Sequence, residues 1–180
     1  VGALGAAVGA RIFEFLVNYS QFKWSFEKLV FFNVYPGFDF YGALVGLFIA
    51  VGLLARVKKL NVLATLDLLA APLVFAQGVI SLWRYLTAEF TFAIVWLFYA
   101  LGFLVIFWVL KRLAKRKRHD GFFICFYLIS YSILEIILFW WRADVLFIKN
   151  IPYQLVVPLV IFQGTLIMWY LLSERNFMRD

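Results

Sequence analysis

Six apolar windows, each near twenty residues long, follow one another along this 180-residue chain: Gly2–Tyr19, Phe38–Ala55, Val62–Leu82, Thr91–Leu110, Phe122–Trp141 and Tyr153–Leu172. A helix needs about 20 largely apolar residues to cross the hydrocarbon of a bilayer. Backbone groups in lipid must be satisfied inside the segment itself, which selects the helix. The expected fold class is therefore all-α, a polytopic integral membrane bundle of about six transmembrane helices. Composition points the same way, with 66% apolar and 15% charged residues against about 45–50% and about 25% in a soluble domain. Pro72 and Pro158 fall inside spans, where neighbouring helices can satisfy the backbone groups they free. No soluble second domain, linker or internal repeat interrupts the pattern, so residues 1–180 read as a single transmembrane domain. The longest connection, "SQFKWSFEKLVFFNVYPG" (Ser20–Gly37), reads as a segment lying in the membrane interface, where Trp and Tyr prefer to sit. The Gly/Ala-rich start lacks the basic region of a cleavable signal, and Val1 suggests a processed or truncated beginning.

The formal charge of +7 is distributed by side. Eleven of the 17 cations, Arg56, Lys58, Lys59, Lys111, Arg112, Lys115, Arg116, Lys117, Arg118, Arg175 and Arg179, fall on one set of alternating loops. Five, Lys23, Lys28, Arg84, Arg142 and Lys149, fall on the other, and Arg11 lies inside the first span. The excess of positive charge marks the cytoplasmic face, which places both ends in the cytoplasm and "SLWRYLTAE" (Ser81–Glu89) at the outer leaflet. The basic run "KRLAKRKRH" is then a topology determinant touching anionic lipid, and no nucleic-acid partner is expected.

Charges within the spans are the residues most informative about function, since each costs about 2.5–3.5 kcal/mol at a helix centre. Arg11 and Glu14 are three residues apart, share a helix face and can neutralise each other. Asp67 lies in the third span, five residues before Pro72. Glu135, in the fifth, has no local partner and calls for a cross-helix contact or protonation; a role in a polar cavity stands beside structural pairing within the bundle. No metal site and no cofactor are expected: the one histidine, His119, sits in the basic loop without Cys or His companions. The one cysteine, Cys125, reads as a packed apolar thiol. The small residues of "GALGAAVGA" read as close helix packing rather than a phosphate loop.

Four stretches, in order, resemble the prolipoprotein diacylglyceryl transferase family of the bacterial cytoplasmic (inner) membrane. "GALGAAVGARIFEFLVNY" is similar to its second helix, and "GFDFYGALVGLFIAVGLLARVKKLN" to its Gly-x-Ser-x-His-Gly-Gly-Leu-x-Gly segment and the following basic loop. "LDLLAAPLVFAQGVISLWRYLTAE" resembles the Asp-x-x-Ala-Pro helix that leads into the signature Gly-Arg-x-Gly-Asn-Phe-x-Asn-Gly-Glu. "FFICFYLISYSILEIILFWWRAD" and "YQLVVPLVIFQGTLIMWYLLSER" look like its last two helices, with Arg142 and Asp144 in the place of the Arg-x-x-Asp motif between them. The resemblance implies a site that moves a diacylglyceryl group from phosphatidylglycerol to the lipobox cysteine of a prolipoprotein. That chemistry needs cationic donors for the phosphate leaving group and a base for the thiol.

Much of that chemistry is replaced here. With the signature aligned on Glu89, its arginine falls at Ser81, its asparagines at Arg84 and Thr87, and its flanking glycines at Ile80 and Ala88. The histidine of the second stretch becomes Tyr41, whose phenol, with an ordinary pKa of about 10, is a poor base near pH 7. An arginine of the fifth helix becomes Glu135. The family's first helix and external head segment have no counterpart in this stretch. The resemblance thus implies a lipid site made of Tyr41, Arg84, Glu89, Arg142 and Asp144. If activity persists, Glu89, Arg142 and Arg84 carry it, with Arg84 taking over phosphate binding from position 81. The reading preferred is a non-catalytic relative that binds anionic phospholipid, packs as a subunit of a membrane complex, or both. The alternative is an active transferase that meets prolipoproteins; an unrelated channel or transporter is the third.

Overall fold

The computed structural model describes residues 1–17, 39–87, 90–115, 119–142, 147–148 and 151–177. Six helices account for almost all of them: α1 (Gly2–Val17), α2 (Phe40–Val57), α3 (Val62–Thr87), α4 (Phe90–Leu113), α5 (Phe122–Leu138) and α6 (Tyr153–Phe177). A 3₁₀ turn, Phe139–Trp141, extends α5. A minimal antiparallel ladder pairs Phe147–Ile148 (β1) with Ile151–Pro152 (β2) ahead of α6. Five of the helices are long and apolar enough to cross a membrane; α1, at 16 residues, is shorter, and Asn18 and Tyr19 lie outside the described residues. The expected helical membrane bundle is what forms. The interfacial reading of Ser20–Gly37 falls outside the described residues.

Local sequence explains the ends of the helices. Asp39 caps α2 by accepting a hydrogen bond from the Gly42 N–H at 3.0 Å, which satisfies one of the orphan donors of a first turn. Where α2 ends, Lys59 adopts φ 56°. The Leu60 N–H reaches back to the Ala55 carbonyl at 2.8 Å and the Lys59 N–H to that of Arg56 at 3.0 Å, the paired bonds of a Schellman stop. Asn61 follows at once and caps α3 through Oδ1, which accepts from Leu63 N–H at 3.0 Å. A stop and a start within four residues leave a tight turn.

The chain divides into two compact units, Val1–Leu66 and Asp67–Asp180. In the first, α1 and α2 meet along glycines. A Cβ at Gly9 would stand 2.7 Å from the Gly46 Cα, and one at Gly42 would stand 2.5 Å from the Gly9 carbonyl oxygen. Only the absence of side chains lets the backbones come this close. The Asp39 N–H donates to the Ala10 carbonyl at 3.2 Å and pins the start of α2 to α1. In the second unit α5 packs between α4 and α6 and is the most enclosed element, with Cys125, Tyr127 and Ser132 fully buried. Asp67 belongs here. Its carboxylate accepts the Gly121 and Ile124 N–H groups, each at 2.8 Å, so it caps α5 from a different helix. The last turn of α4 carries Lys111 over the Phe107 ring and Arg112 over Trp108, at 5.5 and 3.7 Å, as long cations do when their stems lie along apolar surface.

Candidate functional site

Tyr127, Tyr131 and Glu135 stand one turn apart on α5, and a spacing of four keeps them on one face. All three are buried, as is Ser132 beside them. At the far end of this polar face, Glu135 Oε2 accepts the phenolic O–H of Tyr99 from α4 at 2.9 Å. The same oxygen faces Arg142 Nη1 at 3.2 Å. The two side chains of this ion pair are 10% and 11% exposed.

Glu135 therefore does have a partner close in sequence, contrary to the expectation that none was local. Arg142 is seven residues on, about two helical turns, and the chain preserves that relation past the end of α5. The Phe139–Trp141 turn tightens the backbone and the Arg142 N–H donates to the Phe139 carbonyl at 3.1 Å. The guanidinium is thereby returned over the last turn of α5. Burial supplies the reason, because a carboxylate removed from water needs a charge and hydrogen bonds to offset the loss of hydration.

The guanidinium of Arg142 also lies 5.4 Å from the Trp96 ring centre and 5.8 Å from that of Tyr99. On the same indole, 4.4 Å away, sits the guanidinium of Arg84 from the last turn of α3. Two arginines 58 positions apart in the chain are thus gathered by one tryptophan, whose face attracts cations. Trp96 and Tyr99 are themselves in contact at 5.5 Å. Ser81, where the resemblance puts the signature arginine, is buried, while Arg84 one turn later is exposed. Arg84 forms no ion pair among the described residues. Among the described residues, the shared aromatic platform thus carries one arginine held in an ion pair and one outside any.

The other expected site residues distribute differently. Tyr41 is buried at the start of α2, in the Val1–Leu66 unit, with its ring edge-on to Phe40 at 6.0 Å. Arg11 is buried and Glu14 half-buried on α1, in that same unit. Asp67 is engaged in capping α5. Glu89 and Asp144 lie outside the described residues. Sequence reasoning missed Trp96, Tyr99 and Tyr131. Their only signal was position, since Trp96 and Tyr99 are three apart and Tyr131 precedes Glu135 by one turn. In a chain that is 21% aromatic, such spacings are common.

A model of the family described as prolipoprotein diacylglyceryl transferase matches residues 1–91. The match takes in α1, α2 and α3, with Tyr41, Asp67, Ser81, Arg84 and Glu89, and leaves Glu135, Arg142 and Asp144 beyond its end. No curated protein matches the chain.

Proposed function

The chain belongs to the prolipoprotein diacylglyceryl transferase family, and from that premise we propose that this multi-pass membrane protein binds the headgroup of an anionic phospholipid without transferring its diacylglyceryl group. The observation that carries the reading is the arrangement at Trp96: Arg84 at 4.4 Å, Arg142 at 5.4 Å, and Glu135 within 3.2 Å of Arg142. A phosphodiester presents a negative charge and acceptor oxygens, which guanidinium forks meet with charge-assisted hydrogen bonds. Arg84 is exposed and outside any described ion pair, so it is the donor free to meet such a group. Arg142 brings a second guanidinium to the same indole, 5.4 Å from its centre.

Transfer asks for more than binding. The leaving glycerol phosphate gains charge as its bond to the diacylglyceryl group breaks, so cations must be stronger partners there than in the ground state. Glu135 works against this, holding a carboxylate against one of the two cations and repelling a developing anion. By the resemblance, this position belongs to an arginine. The base for the incoming thiol is also missing, with Tyr41 in the histidine's place. The site lies at the outer leaflet of a bacterial inner membrane, with both ends of the chain cytoplasmic. Its partners are phosphatidylglycerol-like lipid and, through lipid-facing aromatic surface, other membrane subunits.

The test is a transfer assay with the purified protein, phosphatidylglycerol and a lipobox peptide, run beside quantification of co-purified lipid. No turnover is expected. Arg84→Ala and Arg142→Ala should each lower bound anionic phospholipid, with a loss of about 1.5–3 kcal/mol per charge-assisted contact. Turnover that disappears in Arg84→Ala would replace this reading with an active enzyme whose phosphate clamp has moved one turn. Lipid content unchanged in both variants would remove the binding site.

A further inference from the structure

Gln163 and Gly164 stand at the midpoint of the span Tyr153–Glu174, and both are exposed. No heavy atom lies within 4 Å of where a Gly164 Cβ would be. Among the described residues the Gln163 carboxamide makes no hydrogen bond. At 3.6 residues per turn, Val156, Val160, Gln163, Gly164, Ile167 and Leu171 form one stripe along α6. Val160, Ile167 and Leu171 are 62%, 61% and 56% exposed, whereas Thr165, on the opposite side, is 5% exposed. The stripe is therefore the face that α6 turns away from its own unit.

Lipid would cover an apolar stripe without consequence, but it leaves a carboxamide unsatisfied. The hydrocarbon core is about 30 Å thick, so the midplane is about 15 Å from either interface, far beyond the reach of a glutamine side chain. The amide's hydrogen bonds must come from another helix at that depth. Gly164 beside it removes the side chain that would hold a second backbone away, the combination by which membrane helices associate.

We propose that this stripe receives a second copy of the same chain, closed at the bilayer midplane by a pair of Gln163 carboxamides. A carboxamide both donates and accepts, so it is its own complement. A second copy inserted with the same topology carries Gln163 at the same depth. A twofold axis along the membrane normal then sets the two amides opposite each other, as an isologous contact requires. Any other partner would have to supply a matching polar group at that level, whereas a second copy does so by construction.

The test uses the full chain in liposomes with cysteines introduced singly by Val160→Cys, Ile167→Cys and, as an exposed control off the stripe, Leu166→Cys. Native Cys125 is fully buried and adds no background. Oxidation should link copies through positions 160 and 167 and not through 166. In energy-transfer measurements between labelled copies at falling protein-to-lipid ratio, Gln163→Leu should weaken association about tenfold, the weight of one interhelical hydrogen bond pair, and Gln163→Asn should restore most of it. Equal cross-linking at all three positions, absence of linked dimer at 160 and 167, or unchanged association in Gln163→Leu would each overturn the proposal.

Discussion

Glu135 and Arg142 set the character of the candidate site through a balance that belongs to single side chains. Burying either charge alone costs several kcal/mol, and their mutual attraction offsets this only when both are present and hydrogen-bonded. Tyr99 supplies the additional hydrogen bond on Oε2. Glu135→Ala should therefore lower stability by about 3–5 kcal/mol, because it strands a buried guanidinium. The double replacement Glu135→Leu with Arg142→Met should cost much less than that single change, since it removes both charges and keeps volume. Thermal unfolding in detergent of the two variants reads the difference. A double variant that melts as low as Glu135→Ala would mean that the pair is not the dominant interaction there.

At the scale of elements, the informative contacts are those in which one helix finishes another. The first turn of α5 begins at Gly121, whose φ of 90° is open to glycine, and no side chain of its own caps it. Asp67 of α3 supplies the acceptors instead. Its presence near the positive end of the α5 dipole is favourable as well. Asp67→Ala should cost about 0.5–2 kcal/mol, the range of a lost helix cap, and Asp67→Asn less, because one acceptor remains. Equal melting of both variants with the parent chain would remove the cap from the account. The α1–α2 contact makes a second prediction of opposite kind. A side chain at Gly46 would meet the Gly9 Cα at 2.9 Å, whereas one at Gly52 meets only Val62, at 3.8 Å. Gly46→Leu should separate the helices and lose about 1–3 kcal/mol or more. Gly52→Ala should be neutral or gain about 0.5–1 kcal/mol from helix propensity. Parallel melting curves of the two variants decide it.

For the molecule as a whole, the placement of cations predicts orientation. Lys115 follows the last turn of α4, beside Lys111 and Arg112, and belongs to the set of loops with eleven cations; Lys23 belongs to the set with five. Cysteines introduced at Lys115 and Lys23 should react with an impermeant reagent from opposite faces of intact cells, Lys23 from outside. Reaction of both from outside would overturn the six-span topology expected from the sequence, and with it the proposed placement of the Arg84–Arg142 cluster at the outer leaflet.

Hydropathy is a property of consecutive residues, and bilayer thickness converts it directly into helix length. The spans, and with them the fold class, were therefore legible in the chain itself. The family, too, was carried by local stretches such as those around Asp67–Pro72. What a residue along such a span will touch was not legible. In a water-soluble helix, polarity separates the inner face from the outer one, but lipid is as apolar as a protein core, so α4 and α6 read alike on every side. Trp96 and Tyr99 could not be told from the other aromatic residues around them until α4 lay against α5. The pairing of Glu135 with Arg142 depended on a 3₁₀ turn that returns the chain over its own helix, and the meeting of Arg84 with Arg142 depended on the packing of three helices. Charges that cross from one helix to another are chosen by packing, and packing is decided only in the folded molecule.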